Sequence, residues 1–145
     1  MAEEVDALLA KLTIAFRIAN ENLMCDVGLH AGQVQVLSSL WTRDGQSQAD
    51  IVRDLCISAP TVNKMVLKLA KAGLVSIRKC PNDRRLTRVY LTPRGRRMKP
   101  KVAIQRRHLN KALLRDLSET EILLLPILLE KIWNNLKKDL DESEG

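Results

Sequence analysis

At Gly73 the sequence changes period. Before it, apolar residues recur at helical spacing: Ile51, Val52 and Leu55 mark a short helix, and Val62, Met65, Val66 and Leu69 mark the next at i, i+3, i+4 and i+7. Only Cys56 and Ile57 are left to join them, the spacing of a helix-turn-helix. Ser58 is placed as the N-cap of the second helix, with Pro60 and Thr61 in its first turn and Gly73 at its C′ position. After Gly73, Val75, Ile77 and Lys79 alternate with Ser76 and Arg78, and Thr87, Val89 and Leu91 alternate with Arg88 and Tyr90. Two strands around a polar turn from Cys80 to Leu86 make a β-hairpin with a basic tip. A helix-turn-helix followed by such a hairpin predicts a winged helix.

The flanking segments are helical. Leu8, Leu9, Leu12, Ala15, Phe16 and Ala19 give an amphipathic helix from about Val5 to Met24, broken at Asp26 to Gly28. Val34, Leu37, Ser38 and Trp41 mark a second helix that ends before Asp44 and Gly45. Ser47 and Asp50 are spaced to cap the helix of Ile51. Thr92 and Pro93 open a long helix towards Leu117, with a kink expected near Pro100, where a backbone donor is missing. Ser118 and Glu121 form a capping box for a last helix to about Leu140. The expected class is mainly α with a small β-hairpin wing (α+β): a winged helix-turn-helix carrying N- and C-terminal dimerisation helices.

Charge is concentrated in the middle of the chain. The net charge is +7, yet Gln46 to Lys99 holds 13 Lys/Arg against 3 Asp/Glu, while Met1 to Gly45 is net acidic and Pro100 to Gly145 is balanced. A basic block on a neutral scaffold points to a polyanion-binding module; a solvated charged face is the plainer alternative. With four aromatics, Phe16, Trp41, Tyr90 and Trp133, the chain is poor in the stacking platforms of single-strand and RNA binders. Its three cysteines, Cys25, Cys56 and Cys80, show no metal-ligand spacing, so neither a structural metal nor a cofactor is expected and a reducing cytoplasm is. The acidic start Met1 to Asp6 lacks the pattern of an export signal, and no run of eighteen apolar residues suggests a membrane span. No nucleophile elbow, phosphate-cradling glycine loop or metal constellation is present, and His30 and His108 lack catalytic neighbours, so an enzyme is not expected.

The last helix calls for cover from outside. Ile122, Leu123, Leu124, Leu125, Ile127, Leu128 and Leu129 surround Pro126 and leave no polar face, which demands burial on all sides. The expected dimer seam joins Leu8, Leu12 and Phe16 of the first helix to Ile122, Leu125, Leu129, Trp133 and Leu136; an intramolecular core is the alternative.

Leu29 to Met98 resembles the MarR family of bacterial and archaeal transcription regulators. The resemblance rests on Leu29-His-Ala-Gly-Gln33, on the segment SAPTVNKMVLKLAKAGLV, on the wing CPNDRRLTRVYLT with Asp83, Arg84 and Arg85, and on Pro93, Arg94 and Gly95. The flanking helices fit the family's dimerisation layout, which gives segments 1–28 and 99–145 for dimerisation around a DNA-binding region 29–98. Departures are Cys80 where the wing often has an acidic residue, Ile77 for arginine, Cys56 at a turn position often given to glycine, and His30 for threonine.

A recognition helix reads base edges from its N-terminal turns. Ser58, Pro60, Thr61, Asn63, Lys64 and Lys68 occupy that part of the helix. Asn63 suits an adenine edge, Lys64 suits guanine O6 and N7, and Pro60 or the Thr61 methyl suits a thymine methyl. The resemblance makes Arg85 the wing residue that enters a narrow minor groove, with Asp83 directing it; Arg84 and Arg88 are expected on phosphates. The expected partner is double-stranded DNA with a pseudo-palindromic operator bound by a homodimer, its half-sites roughly 10 base pairs apart. A winged-helix module that binds protein is the alternative. In the family, effectors often occupy a crevice between the dimerisation helices and the winged helix; the resemblance implies that Phe16, Arg17, His30 and Gln33 there offer a small aromatic anion an apolar wall and a cation. The resemblance favours a repressor released in this way. The rival switch is oxidation of Cys80, whose neighbours Lys79 and Arg78 would favour a thiolate.

Overall fold

The computed structural model describes residues 4–143; Met1 to Glu3, the first part of the acidic start, and the last two residues lie outside the described residues. The chain opens with α1 (Val5–Cys25), an amphipathic helix in which only Met24 is buried. Gly28, at φ +78°, turns it into α2 (Ala31–Thr42). Glu21 of α1 caps that next helix: one carboxylate oxygen accepts from the Ala31 N–H at 3.0 Å and the other pairs with His30 Nδ1 at 2.7 Å. The His30 N–H donates to Gln33 Oε1 at 2.9 Å, completing the cap on the other side.

A two-residue strand, β1 (Gln46–Ser47), leads directly into α3 (Gln48–Leu55). The Ser47 and Asp50 signal is a full capping box: Ser47 Oγ accepts from Asp50 N at 3.1 Å, and Asp50 Oδ2 accepts from Ser47 N at 3.2 Å. Cys56 then holds the turn at φ 53°, the sole non-glycine at positive φ among the described residues. Left-handed backbone is costly for a side chain with a Cβ. The second helix of the pair is α4 (Ala59–Lys71). Ser58 stands at its N-cap position as expected, but its Oγ meets Thr61 Oγ1 at 2.8 Å instead of a backbone N–H. Gly73, at φ +75°, closes the helix, and the Leu74 N–H returns to Leu69 O at 2.9 Å.

The hairpin is β2 (Val75–Lys79) and β3 (Thr87–Leu91), antiparallel with Val75 opposite Leu91 and Lys79 opposite Thr87. Its sheet has a third member that the sequence did not suggest: β1 pairs with β3, Gln46 opposite Val89, so the order is β1-β3-β2. Thr92 caps α5 (Pro93–Leu113), its Oγ1 accepting from Gly95 N at 3.1 Å. The helix runs through Pro100 and ends at Leu113, four residues short of the expected Leu117, in a turn where the Leu117 N–H reaches Leu114 O. Ser118 and Glu121 cap α6 (Glu119–Ser143) reciprocally, at 2.9 and 3.2 Å.

Two compact units result, residues 1–109 and 110–145, a division that falls beyond the 98/99 segment boundary read from the sequence. In the first, Leu37 and Leu40 of α2, Ile51 of α3, Val62, Val66 and Leu69 of α4, Val89 of β3 and Val102 of α5 share one core with Met24. Fully burying a side chain of this size is worth about 1.5–3 kcal/mol. Polar ties fix the wing to this core. Asp44 Oδ1 accepts from the Leu91 N–H at 2.8 Å and Asp44 Oδ2 pairs with Arg96 at 3.2 Å. Trp41 Nε1 donates to Gly95 O at 3.0 Å. Gly95 has no room for more: a Cβ there would overlap the Leu74 carbonyl. In the second unit, no residue of α6 is buried, and Leu123 is 73% exposed.

Candidate nucleic-acid interface

α4 divides its faces cleanly. Val62, Val66 and Leu69 are buried, whereas Pro60, Thr61, Asn63, Lys64, Lys68 and Lys71 are exposed, as is Ser58 before them. The apolar stripe anchors the helix through the core, so the polar stripe is presented on a fixed support. Gly32 allows α2 to approach this helix closely, since a Cβ there would meet the Met65 methyl at 2.6 Å. One neighbour escaped the sequence reading. Gln48 Nε2 donates to Asn63 Oδ1 at 3.2 Å, which fixes the amide of Asn63 and adds a second carboxamide to the exposed surface. A polar residue in the first turn of α3 was the available signal.

The wing turn is closed on itself. The Cys80 N–H donates to Leu86 O at 2.7 Å and the Leu86 N–H to Asp83 O at 3.0 Å. Asp83 Oδ1 accepts from the Arg85 N–H at 3.0 Å and lies 3.9 Å from Arg85 Nε, so these two residues are brought together while the Arg85 side chain stays 95% exposed. Arg84 is exposed beside it. Arg88, the other residue expected on phosphates, is half-buried, and its Nη1 donates to Gly45 O at 3.0 Å, which ties β3 to the residues after α2. Arg78 and Arg88 face each other across the hairpin ladder, a like-charge pairing that is unfavourable in itself. The conflict is relieved because Arg78 lies over the Tyr90 ring, 4.8 Å from its centroid, while Arg88 turns to Gly45.

Cys80 is half-buried, and its thiol is held below the usual range by the backbone N–H groups of Asn82 and Asp83 and by the Arg88 guanidinium. The sequence reading attributed this to Lys79 and Arg78; the turn backbone and a cross-strand arginine supply it instead. Cys25 and Cys56 are exposed and free. Among the described residues no group of acidic, His or Cys side chains is placed to hold a metal, and no helix is long and apolar enough to cross a membrane.

The four proposed effector residues lie on α1 and at the start of α2. Phe16 and Arg17 are exposed on α1, His30 is engaged with Glu21, and Gln33 lines a cavity of the first unit. The expected seam residues Leu8, Leu12, Phe16, Leu129, Trp133 and Leu136 are exposed by 44–57%, and Ile122 and Leu125 are half-buried.

A helix-turn-helix packed on a three-stranded wing, with long helices on either side, defines a winged helix-turn-helix protein. Residues 29–87 match the model of the MarR family. The chain is 29% identical over 109 residues to the HTH-type transcriptional regulator YdgJ of Bacillus subtilis, a match that covers 75% of this chain and 66% of that relative, just under two thirds of its length. Among solved structures it is similar to Bordetella bronchiseptica BpsR, in work on the regulation of that protein's DNA binding by 6-hydroxynicotinic acid (26% identity, TM-score 0.82, 91% of this chain and 94% of that one). It shares its fold with a MarR-family regulator from Listeria monocytogenes complexed with 26mer DNA (22% identity, TM-score 0.85, 97% and 95% covered). Residues 29–87 are a MarR-family domain, and the fold of the chain is that of winged helix-turn-helix proteins.

Proposed function

We propose that this chain is a sequence-specific, double-stranded DNA-binding transcriptional regulator that acts as a homodimer in the cytoplasm. The observation that carries the reading is the exposed polar face of α4, from Ser58 to Lys68, on a helix whose opposite stripe is fully buried, next to an arginine-bearing wing. Family and fold are those of transcriptional regulators, and the Listeria relative was solved with DNA. In this reading Lys64 and Asn63 meet base edges, Arg85 enters the minor groove, and Arg84 and Lys68 meet phosphates. Arg88 contributes by holding the wing on Gly45. In this reading the dimer is formed by α1 and α6, which carry fourteen of the large apolar side chains exposed among the described residues. The test is selection of bound sequences from a random duplex pool, followed by a gel shift at several salt concentrations. Each neutralised phosphate should contribute about −0.9 to the slope of log K against log salt, and a flat response would rule the reading out.

Repression relieved by a small aromatic anion is the proposed mode of control, with Phe16, Arg17, His30 and Gln33 as its contacts. His30 would join them by leaving Glu21. BpsR, whose DNA binding is regulated by 6-hydroxynicotinic acid, supports this mode by likeness. An effector that weakens DNA binding must itself bind the DNA complex less tightly by the same factor, so titrating aromatic acids into free protein and operator complex tests it. The state of Cys80 favours a second reading, in which peroxide transfers an oxygen to the thiolate, giving a sulfenic acid and water and disturbing the wing. Wild type should then lose DNA in a peroxide series while Cys80→Ser retains it.

A further inference from the structure

A cavity of about 360 Å³ opens where three parts of the first unit meet: the α1–α2 turn, the end of α4 and the first turns of α5. Its α5 wall is cationic. Arg94, Arg97 and Lys101, at i, i+3 and i+7, line one helix face. No acidic residue lines the cavity, and among the described residues none of the three cations takes part in an ion pair. Arg94 is steadied at the rim, where Nη1 donates to Ala72 O at 3.0 Å. The floor is apolar, made by Leu29, Leu74 and Met98, and Gln33 adds a carboxamide.

Three like charges on one face without a counter-charge repel one another, and a multivalent anion relieves that repulsion more than a single negative charge does. The apolar floor favours an occupant with a hydrophobic body over a bare ion. The volume sits at the lower end of the roughly 300–1,000 Å³ typical of small-molecule sites. We propose that this cavity binds a small organic polyanion, a phosphate monoester or polycarboxylate carried on a compact apolar body.

The site is separate from the DNA reading. α4 is about 20 Å long; the candidate base contacts occupy its N-terminal turns, and the cavity lies past its C-terminal end at Ala72 and Leu74. It shares only Gln33 with the aromatic-anion contacts named above. An occupant would tie the start of α5 to the α1–α2 turn and to the end of the recognition helix.

The test uses the full chain without DNA and phenyl phosphate as the probe, with benzoate and inorganic phosphate as comparisons, followed by the amide resonances of Gly28, Gly73 and Gly95. Phenyl phosphate should shift these three and bind more tightly than either comparison. The double variant Arg97→Gln, Lys101→Gln changes two exposed side chains and should weaken it roughly tenfold, about 1.4 kcal/mol, while Arg97→Lys should retain binding. Equal binding of phenyl phosphate by wild type and the double variant, or shifts confined to other residues, would overturn the proposal. The same double variant is then assayed on duplex DNA: reduced DNA affinity and salt slope with phenyl phosphate binding unchanged would also overturn the proposal, since Arg97 and Lys101 would then be contacts to the DNA backbone.

Discussion

Helices α4 and α6 place their apolar residues in opposite ways. α4 buries a single stripe, Val62, Val66 and Leu69, and keeps a polar face in water; α6 has apolar residues all round and buries none of them. The first arrangement is complete within one chain, because the core of the first unit covers the stripe and leaves the other face available to a polyanion. The second is incomplete. Nineteen large apolar side chains are conspicuously exposed among the described residues, and eight of them, from Leu123 to Leu140, belong to α6. The contrast teaches that a helix's sequence states how many sides need cover: three-residue and four-residue spacing asks for one neighbour, a continuous run for several.

The strongest way to break the comparison is to remove its second member. Truncation after Leu117 takes away all of α6, and we expect the soluble dimer to disappear in analytical sedimentation. A monodisperse dimer of the shortened chain would show that α6 needs no partner. Next in size is Gly95→Ala, which sets a Cβ against the Leu74 carbonyl and should cost more than about 2 kcal/mol in denaturant unfolding, since backbone has to move. An unchanged midpoint would mean that the support behind α4 and the wing is looser than described.

Smaller effects sharpen the reading of α4 itself. Lys64→Ala should cost ~1–3 kcal/mol of preference for the selected half-site, with the fold intact by circular dichroism. Arg85→Ala should weaken binding and relax the preference at A·T-rich flanks, by less than Lys64→Ala if the wing mainly adds affinity; selection from a random pool compares the two directly. The smallest expected effect is on acid stability. The Ala31 N–H and His30 hold the Glu21 carboxyl below its ordinary range. A depressed folded-state value means that the contribution is present above the unfolded-state value and is lost as pH falls through the folded one. Glu21→Gln should therefore lower stability slightly at neutral pH and flatten its loss between about pH 5 and 3, so that variant and wild type converge in acid.

What could be read from the sequence was local. Both capping boxes join residues three apart, the hairpin register follows from alternation on either side of one turn, and Cys56 stands at a left-handed turn because only Cys56, Ile57 and Ser58 separate α3 from α4. What could not be read was contact between distant segments. β1 is only Gln46 and Ser47, too short to show a period, and it exists because Val89 and Arg88 lie opposite. The same holds for Gln46, 4% exposed, whose Nε2 donates to Ser39 O and Arg43 O at 2.9 and 2.7 Å. Arg88 counted as one more wing cation until its partner, forty-three residues earlier, was in place. The face of α4 was legible because one helix carries it; the α5 cavity was not, because three segments build it.

The sheet order β1-β3-β2 leaves β2 as an open edge, with backbone donors and acceptors free to pair with any strand that approaches. That edge ends in Arg78 and Lys79. A second wing arriving edge to edge in parallel register would bring its own pair of cations against them, and the repulsion would act before the ladder could zip. Replacing both residues with threonine removes that repulsion, and turbidity of a concentrated solution should then rise faster than for wild type.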